Sequence, residues 1–178
     1  MSELFSIQLQ NRQQQGRDGV WLDLPTTTEQ VQAALRQIGI SSDNPQGLFI
    51  SGYFAEEEKR FAIPYNMVLA SNVDELNFLA SRLETLSTGE RTELNAALQA
   101  PQSELFSIGR ITDFPENVDY YVHLPDVHGP AQLGDYYLNR SGMVDMPEEW
   151  KGGIDTAQFG RYVAQQEQGV FTEYGYLV

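Results

Sequence analysis

The chain has 178 residues, of which 41% are hydrophobic and 11% aromatic, which is enough for the core of one domain or a few small modules. Its 25 acidic and 11 basic residues give a net charge of −14, which argues against a basic footprint for nucleic acid or for an anionic membrane. The absence of cysteine excludes disulfides, thiolate nucleophiles and cysteine metal sites.

Residues 1–62 predict a small α+β module. Thr26 and Glu29 have capping-box spacing and precede a helix that is expected to end at Gly39. Alternating or continuous apolar positions predict three strands, in SELFSIQLQ, VWLDLP and GLFISGYF. Polar segments with glycine predict a loop and a turn, in NRQQQGRDG and SSDNPQG.

Residues 63–112 predict a helical middle module. Ser71 and Asp74 have the spacing that begins a helix, and a second helix in RTELNAALQ is expected to end at Pro101. The first of these helices has an apolar stripe formed by Val73, Leu76, Leu79, Leu83 and Leu86.

The hexamer SELFSI occurs twice, at Ser2–Ile7 and at Ser103–Ile108. Six residues are too few for a structural repeat unit, and the flanking residues differ at once. Its first copy is interpreted as part of a strand. The second copy is interpreted as part of a short helix in SELFSIGRITDF.

Residues 113–178 predict a second α+β module. Asp155 and Gln158 are spaced to cap a helix whose apolar face is formed by Phe159, Tyr162 and Val163. The predicted elements are a strand in VDYYVHLP, a helix in AQLGDYYLNRSG that ends near Gly142, a short helix in EEWKGG that begins at Pro147, a helix in TAQFGRYVAQQ, and a closing strand in GVFTEYGYLV. Because strands and helices are grouped rather than alternating as βαβ units, the expected class is α+β.

One segment, HLPDVH, could supply metal ligands. His123, Asp126 and His128 are residue types that bind zinc, but a strand followed by a proline turn would separate their side chains. The alternative interpretation is a strand histidine beside a turn aspartate. We favour the alternative and expect no metal site.

Another segment carries carboxylates that could serve glycoside hydrolysis, namely Asp145, Glu148 and Glu149. That chemistry needs two carboxyl groups across a cleft with pKa values pushed apart, and nothing in the sequence provides the cleft. Acidic residues at a helix start instead stabilise the helix dipole. The chain also lacks GxSxG, GxxxxGK[ST], GxGxxG and HExxH. No enzymatic activity and no cofactor are expected.

The acidic residues are concentrated at the end of the chain, since residues 111–178 hold 11 acidic and 3 basic residues, a net charge of −8. Two copies of a chain with net charge −14 would carry −28. That equals the phosphate charge of about 14 base pairs at two charges per pair. Acidity is also common in soluble proteins and bears mainly on solubility. An acidic adaptor that binds another basic protein is therefore kept as the alternative function.

The sequence resembles the ArdA antirestriction family. The stretches that carry this resemblance are GVWLDLP, VDELNFLASRLETLS, GVFTEYGYLV and above all DYYLNRSGMVDMPEEWKGGIDTAQFGRYV. The last is similar to the family's antirestriction motif, in which a proline precedes a short acidic helix, then Ile-Asp, an aromatic residue and Gly-Arg. One departure is Tyr162, which stands where the family often carries an aspartate.

The resemblance implies an elongated chain of three small modules that pairs into a curved homodimer. It implies a mimic of B-form DNA, encoded on mobile elements, that blocks the DNA channel formed by the methyltransferase and specificity subunits of type I restriction–modification enzymes. The absence of a signal sequence or membrane span leads us to expect a cytoplasmic protein. The carboxylates expected to imitate phosphates are Asp113, Glu116, Asp119, Asp126, Asp135, Asp145, Glu148, Glu149 and Asp155. Tyr120 and Tyr121 are the expected dimer contact.

Overall fold

A computed structural model describes residues 3–14, 18–41 and 45–178, and it confirms the α+β class. The chain divides into two compact units. Unit 1 lies within Met1–Ser87 and Glu104–Glu116, and unit 2 comprises Thr88–Ser103 and Asn117–Val178. The division into three modules, at residues 62 and 112, stays a prediction.

The regular elements are short strands and helices. In chain order they are β1 (Phe5–Asn11), β2 (Val20–Leu24), α1 (Thr28–Gln37), β3 (Leu48–Phe54), α2 (Tyr65–Leu69), α3 (Val73–Leu83), α4 (Thr88–Gln99), α5 (Ile108–Thr112), β4 (His123–Leu124), α6 (Pro130–Asp135), α7 (Glu148–Lys151), α8 (Thr156–Glu167), β5 (Val170–Thr172) and β6 (Gly175–Leu177). A π-helical turn, Tyr136–Arg140, continues α6. Within the described residues, no helix is long and apolar enough to span a bilayer.

Unit 1 contains an antiparallel sheet with the strand order β2-β1-β3, which confirms the three predicted strands. Alternate side chains of β1, including Phe5, Ile7 and Leu9, are buried. The intervening side chains Ser6 and Gln8 lie on the opposite face, as the period of two along a strand requires. The loop and the turn that connect these strands lie partly outside the described residues.

The helix starts of unit 1 differ by one residue from the prediction. Thr27, not Thr26, caps α1, and Gln30 completes the capping box in place of Glu29. The end of α1 is as expected, because Gly39 has φ +70, a conformation that glycine adopts without steric cost.

The predicted apolar stripe of α3 is confirmed. Its residues Val73, Leu76, Leu79 and Leu83 are buried, and the fifth predicted residue, Leu86, is buried three residues beyond the end of α3. Each fully buried leucine contributes roughly 1.5–3 kcal/mol relative to an exposed one. The cap is Asn72 rather than Ser71, because the Asn72 side chain accepts a hydrogen bond from the backbone N–H of Glu75 at 2.9 Å.

The two SELFSI copies adopt different backbones. The first copy enters β1, as predicted. In the second copy the helical prediction is wrong for Ser103–Phe106, because α5 begins only at Ile108, where Ser107 caps it. Phe5 is buried in the sheet, whereas the equivalent Phe106 is 69% exposed. Tertiary packing, not the hexamer, decides the conformation.

Unit 2 contains a small antiparallel sheet with the order β4-β6-β5. The predicted strand in VDYYVHLP is wrong in its first half, where Val118–Tyr120 forms a 3-10 turn closed by the Tyr120 N–H and the Asn117 carbonyl at 3.0 Å. The closing segment is a hairpin of β5 and β6, not one strand, because the chain turns at residues 173–174 and Gly175, with φ +117, begins β6.

Helices α6 and α8 of unit 2 pack at backbone distance. A Cβ atom added to Gly160 would lie 1.8 Å from the carbonyl oxygen of Pro130, and one added to Gly134 would lie 1.9 Å from that of Thr156. The side of α8 that packs is therefore the small-residue side, with Gly160 and Ala164 buried. The predicted apolar face is wrong for Tyr162, which is 60% exposed.

Candidate functional site

The short helix α7 presents carboxylates at its start, immediately after Pro147. The Glu148 Oε1 atom forms an ion pair with the Lys151 Nζ atom at 2.6 Å, across one helical turn. Glu149 is exposed and makes no ion pair with any described residue. Both acids lie in the first turn, where a negative charge stabilises the helix dipole. Thus Glu149 projects a full charge into solvent, whereas Lys151 partly neutralises Glu148.

The next helix, α8, begins at a carboxylate that has a structural role. The Asp155 side chain accepts a hydrogen bond from the backbone N–H of Gln158 at 2.9 Å, as the spacing predicts. The carboxylate is also exposed. Asp155 therefore has two possible roles, as a helix cap and as a surface charge.

Two substitutions separate these roles. We expect Asp155→Ala to lower the free energy of unfolding by about 1 kcal/mol, because alanine cannot cap, and Asp155→Asn to lower it by less than about 0.5 kcal/mol, because asparagine caps as well as aspartate. Both remove the same charge. Urea unfolding of the two variants measures the difference, and equal losses would contradict the capping role.

One predicted site residue, Asp135, is largely neutralised by its neighbours. Its carboxylate accepts hydrogen bonds from the Asn139 amide at 2.8 Å and from the Arg140 guanidinium at 2.9 Å. The hydrogen bond from Asn139, with the charge of Arg140, lowers the pKa of Asp135. The π-helical turn brings Arg140 onto this carboxylate, so Asp135 presents little net charge.

The nine predicted carboxylates do not all belong to one unit. Asp113 and Glu116 lie in unit 1, where Glu116 pairs with Arg82 at 2.8 Å. The other seven lie in unit 2: Asp119, Asp126, Asp135, Asp145, Glu148, Glu149 and Asp155. Five of these seven are exposed and make no ion pair with any described residue: Asp119, Asp126, Asp145, Glu149 and Asp155.

In the HLPDVH segment, the side chain of His123 has a structural contact. The His123 Nε2 atom lies 2.8 Å from the carbonyl oxygen of Tyr174, in the hairpin beside β4. A ring N–H that donates to this carbonyl fixes the orientation of the imidazole. Across residues 3–14, 18–41 and 45–178, no group of three or more His, Cys, Asp or Glu side chains is placed to hold a metal ion.

A partly buried carboxyl group that the sequence did not single out, that of Glu93, lies near Asp119. Burial, reinforced by the charges of Glu90 and Asp119, raises the pKa of Glu93 to about 7. Its Oε1 atom is buried and has no hydrogen-bond partner among the described residues. Glu93 directly precedes the buried residues Leu94–Ala97, and that position is the only sequence signal for its burial.

The titration of Glu93 makes stability depend on pH. The folded-state pKa of about 7 lies above the ordinary value of 4.5, so the contribution of this group to the free energy of unfolding is fully present below pH 4.5 and is lost as the pH rises through 7. Glu93→Gln should remove this fall in the free energy of unfolding with pH. We place the fall at about 1 kcal/mol because the carboxyl group is partly solvated. Urea unfolding at several pH values measures it, and parallel curves for variant and parent would contradict it.

A second carboxylate that the sequence did not single out holds the core of unit 2 together. Glu167, at the end of α8, accepts hydrogen bonds from the hydroxyl groups of Tyr137 and of Tyr176, the latter at 2.9 Å. Burial, and then these bonds to Glu167, raise the pKa of both tyrosines. Tyr176 is fully buried, so Glu167 ties α8 to β6 and to the π-helical turn.

The protein is an acidic α+β protein that presents exposed carboxylates around α7 and at the start of α8. The family described as "Antirestriction protein (ArdA)" matches residues 15–178. The chain therefore belongs to the ArdA family of antirestriction proteins. Membership implies an antirestriction function and an interaction with restriction–modification enzymes. No curated protein matches the chain.

Proposed function

We propose that this protein inhibits type I restriction–modification enzymes by occupying their DNA-binding channel as a mimic of B-form DNA. The observation that carries the proposal is a set of exposed carboxylates that make no ion pair with a described residue, within the region that matches the antirestriction family: Asp119, Asp126, Asp145, Glu149 and Asp155. In that role the protein shields incoming DNA from restriction in the cytoplasm. Methylation by the same enzyme would be blocked as well, because both activities need the channel.

The amount of charge is suitable for a DNA channel. The net charge of −14 per chain corresponds to about 7 base pairs, and a pair of chains to about 14, at two phosphate charges per base pair. Neutralisation of Asp135 by Arg140 and of Glu148 by Lys151 is already included in that net value. A channel built from Lys and Arg side chains would release counterions on binding either partner.

A competition experiment tests the proposal. Labelled target DNA is bound to a purified type I methyltransferase core and titrated with this protein at two salt concentrations. We expect stoichiometric displacement that weakens with salt, because the Debye length falls to about 8 Å at physiological ionic strength. Displacement unaffected by salt would contradict mimicry. No displacement from several such enzymes would favour the acidic adaptor, whose basic partner a pull-down would then identify.

The homodimer is proposed to form through Tyr120 and Tyr121. Tyr120 is 77% exposed, and the two rings pack edge to face with centroids 5.3 Å apart. Aromatic residues with an apolar body and a polar tip are enriched at interfaces. The double substitution Tyr120→Asp with Tyr121→Asp should halve the mass measured by light scattering. A mass that stays at twice the monomer would place the contact elsewhere.

A further inference from the structure

Unit 1 carries an open cleft beside the edge strand β2, with a volume of about 520 Å³. We call it the Trp21 cleft. The residues that matter for its chemistry are Glu3, Trp21, Asp23, Gln30 and Lys59. None of them belongs to the antirestriction motif of unit 2, so the cleft is a separate feature of the surface.

An indole ring forms one wall of the Trp21 cleft. Trp21 is 49% exposed, so half of its surface faces solvent. The rest of the ring packs on the sheet, where Gly52 leaves room for it: a Cβ atom on Gly52 would lie 3.0 Å from the Cη2 atom of Trp21. Trp21 also pairs with Gln8 across the strands. The ring is therefore held in place with one part open to a ligand.

Two carboxyl groups line the Trp21 cleft next to this ring. Glu3 and Asp23 are close enough to share a hydrogen bond, and that bond, with the charge of Asp23, raises the pKa of Glu3. The Ser6 hydroxyl donates to Asp23 at 2.7 Å and so fixes its orientation. The Lys59 Nζ atom forms an ion pair with the Glu56 Oε2 atom at 3.0 Å. Two of the lining side chains are carboxyl groups, and the one lining ammonium pairs with Glu56, so the cleft has an excess of negative charge.

We propose that the Trp21 cleft binds an arginine side chain of the basic partner protein. A guanidinium is planar, stacks on aromatic rings and donates hydrogen bonds in a fork that matches carboxylates. Here it lies against the indole of Trp21 and bridges Glu3 and Asp23. A lysine ammonium lacks the planar fork, and a phosphate-bearing ligand would be repelled. The identity of the partner rests on the proposed function, whereas the chemistry of the cleft does not.

Tryptophan fluorescence provides a direct test in the full chain. The protein has two tryptophans, so Trp150→Phe leaves Trp21 as the only emitter. This variant is titrated at constant ionic strength with a capped glycine–arginine–glycine peptide and with its citrulline analogue, which is neutral. We expect a saturable change in Trp21 emission with the arginine peptide, with a dissociation constant on the order of 1–10 mM, and none with the citrulline peptide.

Charge-matched variants locate the binding. Glu3→Gln with Asp23→Asn should weaken arginine binding about tenfold or more. Asp74→Asn with Glu75→Gln removes the same charge from exposed positions of unit 1 and should change binding by less than about twofold. Circular dichroism checks that both double variants are folded. The inference is overturned if emission does not saturate, if citrulline binds equally, or if both double variants behave alike.

The two proposals fail separately. The peptide titration contains no restriction enzyme, so arginine binding without displacement of DNA in the competition experiment would overturn only the proposed function. Displacement of DNA by a protein that does not bind the arginine peptide would overturn only the role of the Trp21 cleft.

Discussion

Gly160→Ala should lower the free energy of unfolding of unit 2 by about 3 kcal/mol or more, at or above the upper end of the range for overpacked cores. The added Cβ would lie 1.8 Å from the carbonyl oxygen of Pro130 and 2.8 Å from the amide nitrogen of Gly134. Both are backbone atoms, so no side chain can rotate away to make room. Urea unfolding followed by circular dichroism measures the loss, and hydrogen exchange of the α6 and α8 amides shows where it occurs.

Gly152→Ala is the matched control for this substitution. Gly152 lies eight residues earlier in the same motif, and a Cβ there meets nothing within 4 Å. Its φ of −65 suits alanine, so we expect no loss and a gain of up to about 1 kcal/mol from the restricted unfolded chain. If Gly160→Ala were as well tolerated as Gly152→Ala, this would contradict the packing of α6 against α8 at backbone distance.

Removing four carboxylates from unit 2 should weaken the displacement of DNA from a type I enzyme by roughly 30- to 100-fold. The variant carries Asp126→Asn, Asp145→Asn, Glu148→Gln and Glu149→Gln, all at exposed positions. Each exposed charge is worth about 0.2–1 kcal/mol, so their combined effect is large although each single effect is small. The competition experiment at low salt measures it, and a single substitution with the full effect would contradict a distributed surface.

A second set of four carboxylates tests whether position matters beyond total charge. Substitution of Glu57, Glu58, Asp74 and Glu75 by their amides changes the net charge by the same amount but in unit 1. If position decides, this variant should lose less than about tenfold in displacement. Equal losses in the two variants would mean that only overall charge counts, which would favour a non-specific acidic adaptor.

Elements with strong local signals could be predicted from the sequence. The alternation in β1, the stripe from Val73 to Leu83 in α3, and the cap at Asp155 all depend on residues a few positions apart. The turn at Val118–Tyr120 could not be predicted, because its aromatic residues favour a strand when considered alone. Similarly, the apolar pattern predicts that Tyr162 lies on the buried side of α8, whereas the close approach of α8 to α6 admits only small residues.

The sequence identifies which residues of the candidate surface are acidic, but it does not show which of these acids are paired with a basic side chain. The sequence identifies Asp135 and Glu149 alike as acidic, yet Arg140 neutralises the first and no described residue neutralises the second. The pairing of Asp135 depends on a π-helical turn that no apolar period reveals. The burial of Glu93 and the two tyrosine hydroxyls on Glu167 depend on packing between segments distant in the chain.

The close contact between Gly134 and Gly160 makes these two positions intolerant of substitution, whereas the exposed acids nearby tolerate it. A substitution at either glycine disturbs the backbone, whereas exchanging an exposed acid such as Glu149 costs the fold little. Charges can therefore be moved, added or removed around α7 and α8 while the scaffold stays intact. Under the proposed function, a change in the DNA-binding channel of a target enzyme can be matched by single substitutions among these acids, without loss of a foldable protein.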